Sequence, residues 1–106
     1  MSEQHHIVPQ QRIKIAIGRV AVKAKIHGED ALTEAERRLL KTPLTTILRD
    51  PRNLVRLSRT LHHRAHQGFE RLDPDKLPDG VDDFAADYAL EWALEHELRL
   101  MRGEAA

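Results

Sequence analysis

Five of the chain's seven histidines fall in two clusters, His5-His6 and His62-His63-x-x-His66, and Asn53 lies nine residues before His62. Imidazole is the commonest side-chain ligand for transition metals and titrates near neutral pH. The three sets His5-His6-Ile7-Val8-Pro9, Asn53-Leu54-Val55-Arg56-Leu57 and His62-x-x-x-His66 together offer a metal triad, a spare imidazole and an orienting amide. A one-metal phosphodiesterase needs that combination.

Spacing carries the first part of the argument. Helical residues four apart share a face, with Cβ atoms roughly 5–6 Å apart, so His62 and His66 can bind one ion together. His63 sits about a hundred degrees round from His62 and makes a poorer pair with His66. A histidine pair on a helix is often plain surface decoration, and two further clues weigh against that here. Neighbouring side chains on a strand face opposite ways, so one of His5 and His6 can enter a metal site while the other reaches toward substrate, given a bend. Two histidines are too few for a tag, and Ile7-Val8-Pro9 continues them as a strand would. The other clue is Asn53, which opens a strand feeding the histidine helix and can fix a neighbouring loop through its amide. Asparagine also caps turns with no chemical role.

The elements that must position these groups are readable in outline. His5–Val8 is predicted as a strand ended by Pro9. Gln10–His27 carries Ile13, Ala16, Ile17, Val20 and Ala24 at helical spacing, although parts of it also alternate; its length and Gly28 favour a helix. Thr33-Glu-Ala-Glu36 is a capping box opening a helix to Lys41, buried on Leu39 and Leu40. Thr42-Pro43 is predicted to cap a short helix to about Leu48, broken by Asp50-Pro51. Asn53–Leu57 alternates and reads as a second strand. Ser58 or Thr60 would cap a helix running to Gln67, with Gly68 as its stop. Asp73–Gly80 reads as a loop. A last, acidic helix occupies 81–103, with its body from about Asp82 to Arg102. Its stripe of Phe84, Tyr88, Trp92, Leu94, Leu98 and Met101 is expected to pack inward, with a partner surface as the lesser reading.

Composition sets the limits. At 106 residues a single domain over 1–106 is expected, burying roughly two-thirds of its unfolded surface. The chain has no cysteine, so disulfides and thiolate metal sites are excluded and any metal is held by nitrogen or oxygen. No apolar run approaches the ~18 residues of a membrane span, and the polar opening gives no visible secretion signal; a soluble, cytoplasmic protein is expected. The net charge of zero conceals a division: residues 1–72 carry +7 and residues 73–106 carry −7. A basic body suits a polyanion, and an acidic end would repel one or fold away. Two solvated faces of opposite sign would give the same count.

The three histidine and asparagine sets resemble the HNH endonucleases, the ββα-metal group. His5-His6-Ile7-Val8-Pro9 matches the family's Asp/His-His-Ile-x-Pro start, Asn53–Leu57 its middle element, and His62–His66 its last, with the nine-residue step and the His-x-x-x-His spacing. Histidine at position 5, where many members have aspartate, is similar to the all-histidine site of colicin-type nucleases. The opening is also similar to HNH-type domains of bacterial polymorphic toxins. The motif occupies residues 5–9 and 50–70, with helices over 10–49 inserted between its strands. The expected fold is mainly α with a small two-stranded β element and a C-terminal amphipathic helix, as the sequence pattern gives, and the resemblance adds a ββα-metal motif.

By that resemblance His5, His62 and His66 would hold one divalent ion, with Zn, Mg, Mn or Ni left open. His6 would be the general base toward water, and Asn53 would hold the loop carrying His6 or, as in some family variants, approach the metal itself. The implied reaction is phosphodiester hydrolysis in DNA, leaving 5′-phosphate and 3′-hydroxyl ends. Three neutral imidazoles would leave the ion fully dipositive, which suits charge developing on a phosphate. Arg56, Arg59 and Arg64 would grip phosphates from the same strand and helix, unless they are ordinary surface charge. A phage enzyme and a toxin domain are equally compatible; a toxin domain would act in a target cytoplasm and imply an immunity protein. The alternative reading is a degenerate HNH domain that binds nucleic acid or protein without cutting. A third is a helical domain in which a metal serves folding alone.

Overall fold

A computed structural model of the chain describes residues 2–58 and 77–101, with side chains described over 5–55 and 77–100. Those residues are mainly helical with one two-stranded antiparallel sheet, in line with the expected mostly-α class with a small β element. Residues 59–76 lie outside them, and with them the third part of the histidine motif, His62–His66, the predicted helix to Gln67 and half of the predicted loop. Among the described residues no helix is long and apolar enough to cross a membrane.

The chain opens with β1 (Ser2–His6), which pairs with β2 (Leu54–Ser58) so that His6 faces Leu54 and His5 faces Val55. Between them run α1 (Gln10–His27), α2 (Glu34–Lys41) and α3 (Leu44–Leu48), with 3-10 turns at Glu29–Ala31 and Pro51–Asn53. Two helices complete the described chain: α4 (Val81–Asp87) and α5 (Glu91–Met101).

The long first helix has the predicted ends. Ile13, Ala16 and Val20 are buried along one side, as a 3.6-residue period requires, and Gly28, at φ 84°, returns its N–H to the Ala24 carbonyl. The capping box also forms: Glu36 N donates to Thr33 Oγ1 at 3.1 Å, and Thr33 N donates to Glu36 Oε1 at 2.9 Å. Lys23 of α1 reaches the same carboxylate at 2.9 Å. The Thr33 backbone bond, then Lys23, holds Glu36 below the usual glutamate range.

Several local expectations are corrected. The first strand ends at His6, and Ile7 and Val8 are both buried in the core rather than alternating. Of the two leucines expected to bury α2, Leu39 is 1% exposed and Leu40 is 37% exposed, because consecutive helical side chains diverge by about 100°. Thr42 does not cap α3. Its hydroxyl donates to the Arg38 carbonyl at 2.7 Å, closing α2, and Pro43 stands at the N-cap. Asn53 belongs to the 3-10 turn rather than to the strand.

The largest correction is in the acidic segment, where one expected helix is two. Ala89 adopts φ 54°, and the Leu90 N–H reaches back to the Ala85 carbonyl at 2.7 Å. That six-to-one bond is the closure of a Schellman motif, accompanied here by burial of both Ala85 and Leu90. The aromatic stripe survives the break as packing. Phe84 is fully buried, with its ring 5.4 Å from that of Tyr88. Trp92 lies 4.4 Å beneath the Arg19 guanidinium. Both Tyr88 and Trp92 are half-buried against the core.

The acidic end folds onto the basic body. Asp87 accepts from Arg52 at 2.8 Å, and Arg38 donates to the Asp87 carbonyl at 2.8 Å. Arg12 bonds His96 Nε2 at 2.9 Å and stands 3.8 Å from Glu97. Burial raises the Glu97 carboxyl above the usual glutamate range, with His96 and Arg12 opposing. The folded state therefore holds this proton more tightly than the unfolded chain, and stability declines as pH rises through the interval between the two values.

Two outcomes are expected here. Ala89→Gly relieves the left-handed strain and should stabilise the fold by about 0.5–1 kcal/mol after glycine's entropy is deducted, read as a higher Tm. Glu97→Gln should raise Tm at pH 7, with the gain shrinking in acid where wild-type Glu97 is already protonated.

Candidate functional site

The site grows from a backbone problem. His6 ends β1, and the two residues after it turn into the core, where water cannot reach their peptide groups. Ile7 N–H continues the ladder by donating to the Asn53 carbonyl at 2.8 Å. Beyond that point the ladder stops, because β2 has given way to the 3-10 turn. The Asn53 side chain takes over: Val8 N–H donates to Oδ1 at 2.7 Å, and Nδ2 donates to the Val8 carbonyl at 3.0 Å. Asn53 is fully buried, the one buried polar residue among those described. An amide supplies one donor and one acceptor in a plane, matching a peptide group in both directions at once. Neither aspartate nor leucine would do so.

His6 is held from a second side. Its Nε2 lies 3.0 Å from the carbonyl of Leu48, the last residue of α3. A carbonyl only accepts, so Nε2 carries the proton, and neutral His6 has its lone pair on Nδ1. The bond also satisfies a carbonyl at a helix C-terminus, which lacks an intrahelical partner. Ring orientation and tautomer are thereby set by one contact, as for histidines that must present one nitrogen to a reaction.

The turn carrying Asn53 is braced in turn by Arg52, a residue absent from the sequence-level site. Asp50 Oδ1 accepts from Arg52 N at 3.0 Å, and Asp50 Oδ2 accepts from the guanidinium at 2.8 Å. Asp87 takes the other arm of the same guanidinium, which lies 5.8 Å over the Phe84 ring. The Arg52 side-chain bond holds the Asp50 carboxyl below its usual range. Gly80, at φ 86°, admits the Arg52 stem: a Cβ there would sit 3.2 Å from Arg52 Cδ. The legible signal for this brace was Asp50-Pro51-Arg52, an aspartate positioned to bond the backbone two residues on. Its ion-pair reach to Asp87 was not legible.

The remaining expected residues divide simply. His5 stands opposite Val55, half-buried, on the other face of the ribbon from His6. The register puts position 56, opposite Gln4, on the His6 face, two along from Leu54. His62, His63, His66, Arg59 and Arg64 lie outside the described residues. Among the described residues no three histidine, aspartate or glutamate side chains gather as a metal site. The fold thus brings His5, His6 and Arg56 to one short ribbon, with Asn53 in the turn leading into it, although the two sides are nearly fifty residues apart in sequence.

Comparison with family models finds no match, and comparison with curated proteins and with solved structures finds none either.

The clamp has a measurable consequence. Asn53→Ala would orphan two buried backbone groups at about 1–3 kcal/mol each, so a loss of about 2–5 kcal/mol in denaturant unfolding is expected. Asn53→Asp keeps the acceptor but sets an anionic oxygen against the Val8 carbonyl. It should be destabilised at pH 7 and partly restored in acid, where the protonated carboxyl can donate.

Proposed function

We propose that the chain is a metal-dependent endonuclease of the HNH type, hydrolysing phosphodiester bonds of DNA with His6 as the general base. The observation that carries this reading is the double constraint on His6. Asn53 clamps the segment that follows it, and Leu48 fixes its tautomer. Asn53 serves the buried Val8 backbone whatever His6 does, so the Leu48 contact that fixes one tautomer is the part of the constraint that bears on chemistry. The same residues carry the resemblance of the His5–Pro9 and Asn53–Leu57 segments to the HNH group.

In this reading His6 Nδ1 accepts the proton of the attacking water. Imidazole suits the task because its ordinary pKa lies close to neutral pH, giving both a useful free-base fraction and a sufficient driving force. The Leu48 carbonyl keeps Nε2 as the donor throughout and steadies the imidazolium when it forms. Asn53 acts by position: it keeps the bend after His6 from relaxing back into a straight strand. Position 56 on the His6 face, with Arg59 and Arg64 further along, supplies guanidinium groups for the flanking phosphates.

The metal belongs to the same proposal. His5, His62 and His66 are the imidazoles that would hold one divalent ion, an all-nitrogen set acceptable to Zn²⁺, Ni²⁺ or Mn²⁺ and less suited to Mg²⁺. When bound, the ion would stabilise the charge that develops on the phosphate oxygens. The ββα motif would then consist of β1, β2 and a helix over the His62–His66 region, with residues 10–49 as an insertion. If the chain acts as a toxin domain, an immunity protein would be its second partner.

Supercoiled-plasmid nicking by metal-stripped protein, resupplied with Mg²⁺, Mn²⁺, Ni²⁺ or Zn²⁺ singly, tests the reading. The informative variant is His6→Gln, whose Nε2 can still donate to Leu48 but cannot accept a proton. Metal-dependent nicking by the wild type, reduced at least about 100-fold in His6→Gln with Tm within a few degrees, is the expected result. A folded, metal-loaded wild type that binds DNA and leaves it intact would favour the binding module.

A further inference from the structure

The outer face of α1 is unusual for a helix of this size. Among the described residues four large hydrophobic side chains are exposed, and three of them, Ile15, Val22 and Ile26, lie on this helix. At 100° per residue they fall within about 20° of one line, opposite the buried Ile13, Ala16 and Val20. Gly18 stands beside the line with open space where a Cβ would be, so nothing among the described residues explains a glycine in the middle of an eighteen-residue helix. The helix carries Arg12, Lys14, Arg19, Lys23 and Lys25 and no acidic residue. Lys14 and Lys25 are exposed along one edge of the strip. The result is a convex apolar ridge with basic flanks.

A surface of opposite form lies between α4 and α5. A groove of about 220 Å³ is floored by Ala85, Leu94 and Leu98 and rimmed by Asp82, Glu91 and Glu95. The three acids are exposed, and Arg99 pairs with Glu95 at 2.9 Å, leaving the rim acidic overall. Ridge and groove are complementary in shape, in apolar content and in charge. Two ridges would repel each other, as would two grooves. The chain has zero net charge, so long-range self-repulsion does not oppose association.

We propose that the basic ridge of α1 in one molecule docks into the acidic groove between α4 and α5 of a second copy of this chain. The contact joins two different patches, so it is heterologous unless it closes reciprocally. A contact with charged flanks and a shallow groove belongs among weak, salt-sensitive associations. It uses neither His6 nor Asn53, so it stands or falls apart from the nuclease reading.

Sedimentation velocity of the full chain at low salt, over about 10 μM to 1 mM, tests this directly. The wild type should shift from monomer toward dimer or higher mass, and about 0.5 M salt should reverse the shift. Glu91→Lys with Glu95→Lys should be monomeric, and so should Lys14→Glu with Lys25→Glu. Mixing these two variants should restore association, since each then offers the surface that the other lacks. Val22→Asp, at an exposed position, should weaken self-association about tenfold or more with the circular dichroism unchanged. A wild type that stays monomeric throughout overturns the proposal. So do charge variants that associate as the wild type does, or a mixture of folded variants that stays monomeric.

Discussion

One buried side chain decides the shape of this molecule near its histidines. The Asn53 amide bonds both polar groups of the Val8 backbone, at the point where a two-stranded ribbon must become a helix. Without it, Ile7 and Val8 could not enter the core together, because their peptide groups would lose water and gain no partner. With it, the chain turns sharply after His6, Pro9 caps α1, and the long helix lays Ile13, Ala16 and Val20 against the same core that holds Val8. The clamp joins residues 45 apart in sequence, so it ties together the two ends of the helical segment between the strands. Arg52, held between Asp50 and Asp87, keeps the turn that presents Asn53 in place.

On the proposed reading, what His6 would require as a base comes from two independent contacts. Position comes from the Asn53 clamp and tautomer from the Leu48 carbonyl, each a fixed backbone-linked group. Neither is a flexible surface side chain, so the proposed base would need little ordering on binding a substrate. The charge division in the sequence acquires a role as well. Asp87, His96 and Glu97 of the acidic end bind arginines of the body.

Much of this was legible where one short-range rule dominates. The Thr33–Glu36 box and the bounds of α1 follow from residue chemistry and period alone, whereas for Asn53 the residues left an orienting amide and a turn cap both open. What was not legible depends on tertiary closure. Ala89 has no reason of its own to adopt a positive φ; burial of Ala85 and Leu90 together imposes it, and the four-residue aromatic spacing across the break hid the interruption. Thr42 had two competing tasks, capping the next helix or closing the last, and the nearer Arg38 carbonyl prevailed. Ile7 and Val8 read as strand because β-branched residues favour strands, but the clamp outweighs propensity. The reach of Arg52 to Asp87 was not legible because the two lie 35 residues apart.

The central claim is that His5, His62 and His66 share one ion while His6 stays off it. Titrating Zn²⁺ into metal-free protein with imidazole nitrogens followed by ¹⁵N NMR tests it most directly. The account predicts one tight equivalent, with ring nitrogens of His5, His62 and His66 shifting to metal-bound values. His6 should keep a protonated Nε2 and an unligated Nδ1. Binding through His6 or His63 in place of His5, or no stoichiometric binding at all, would contradict it.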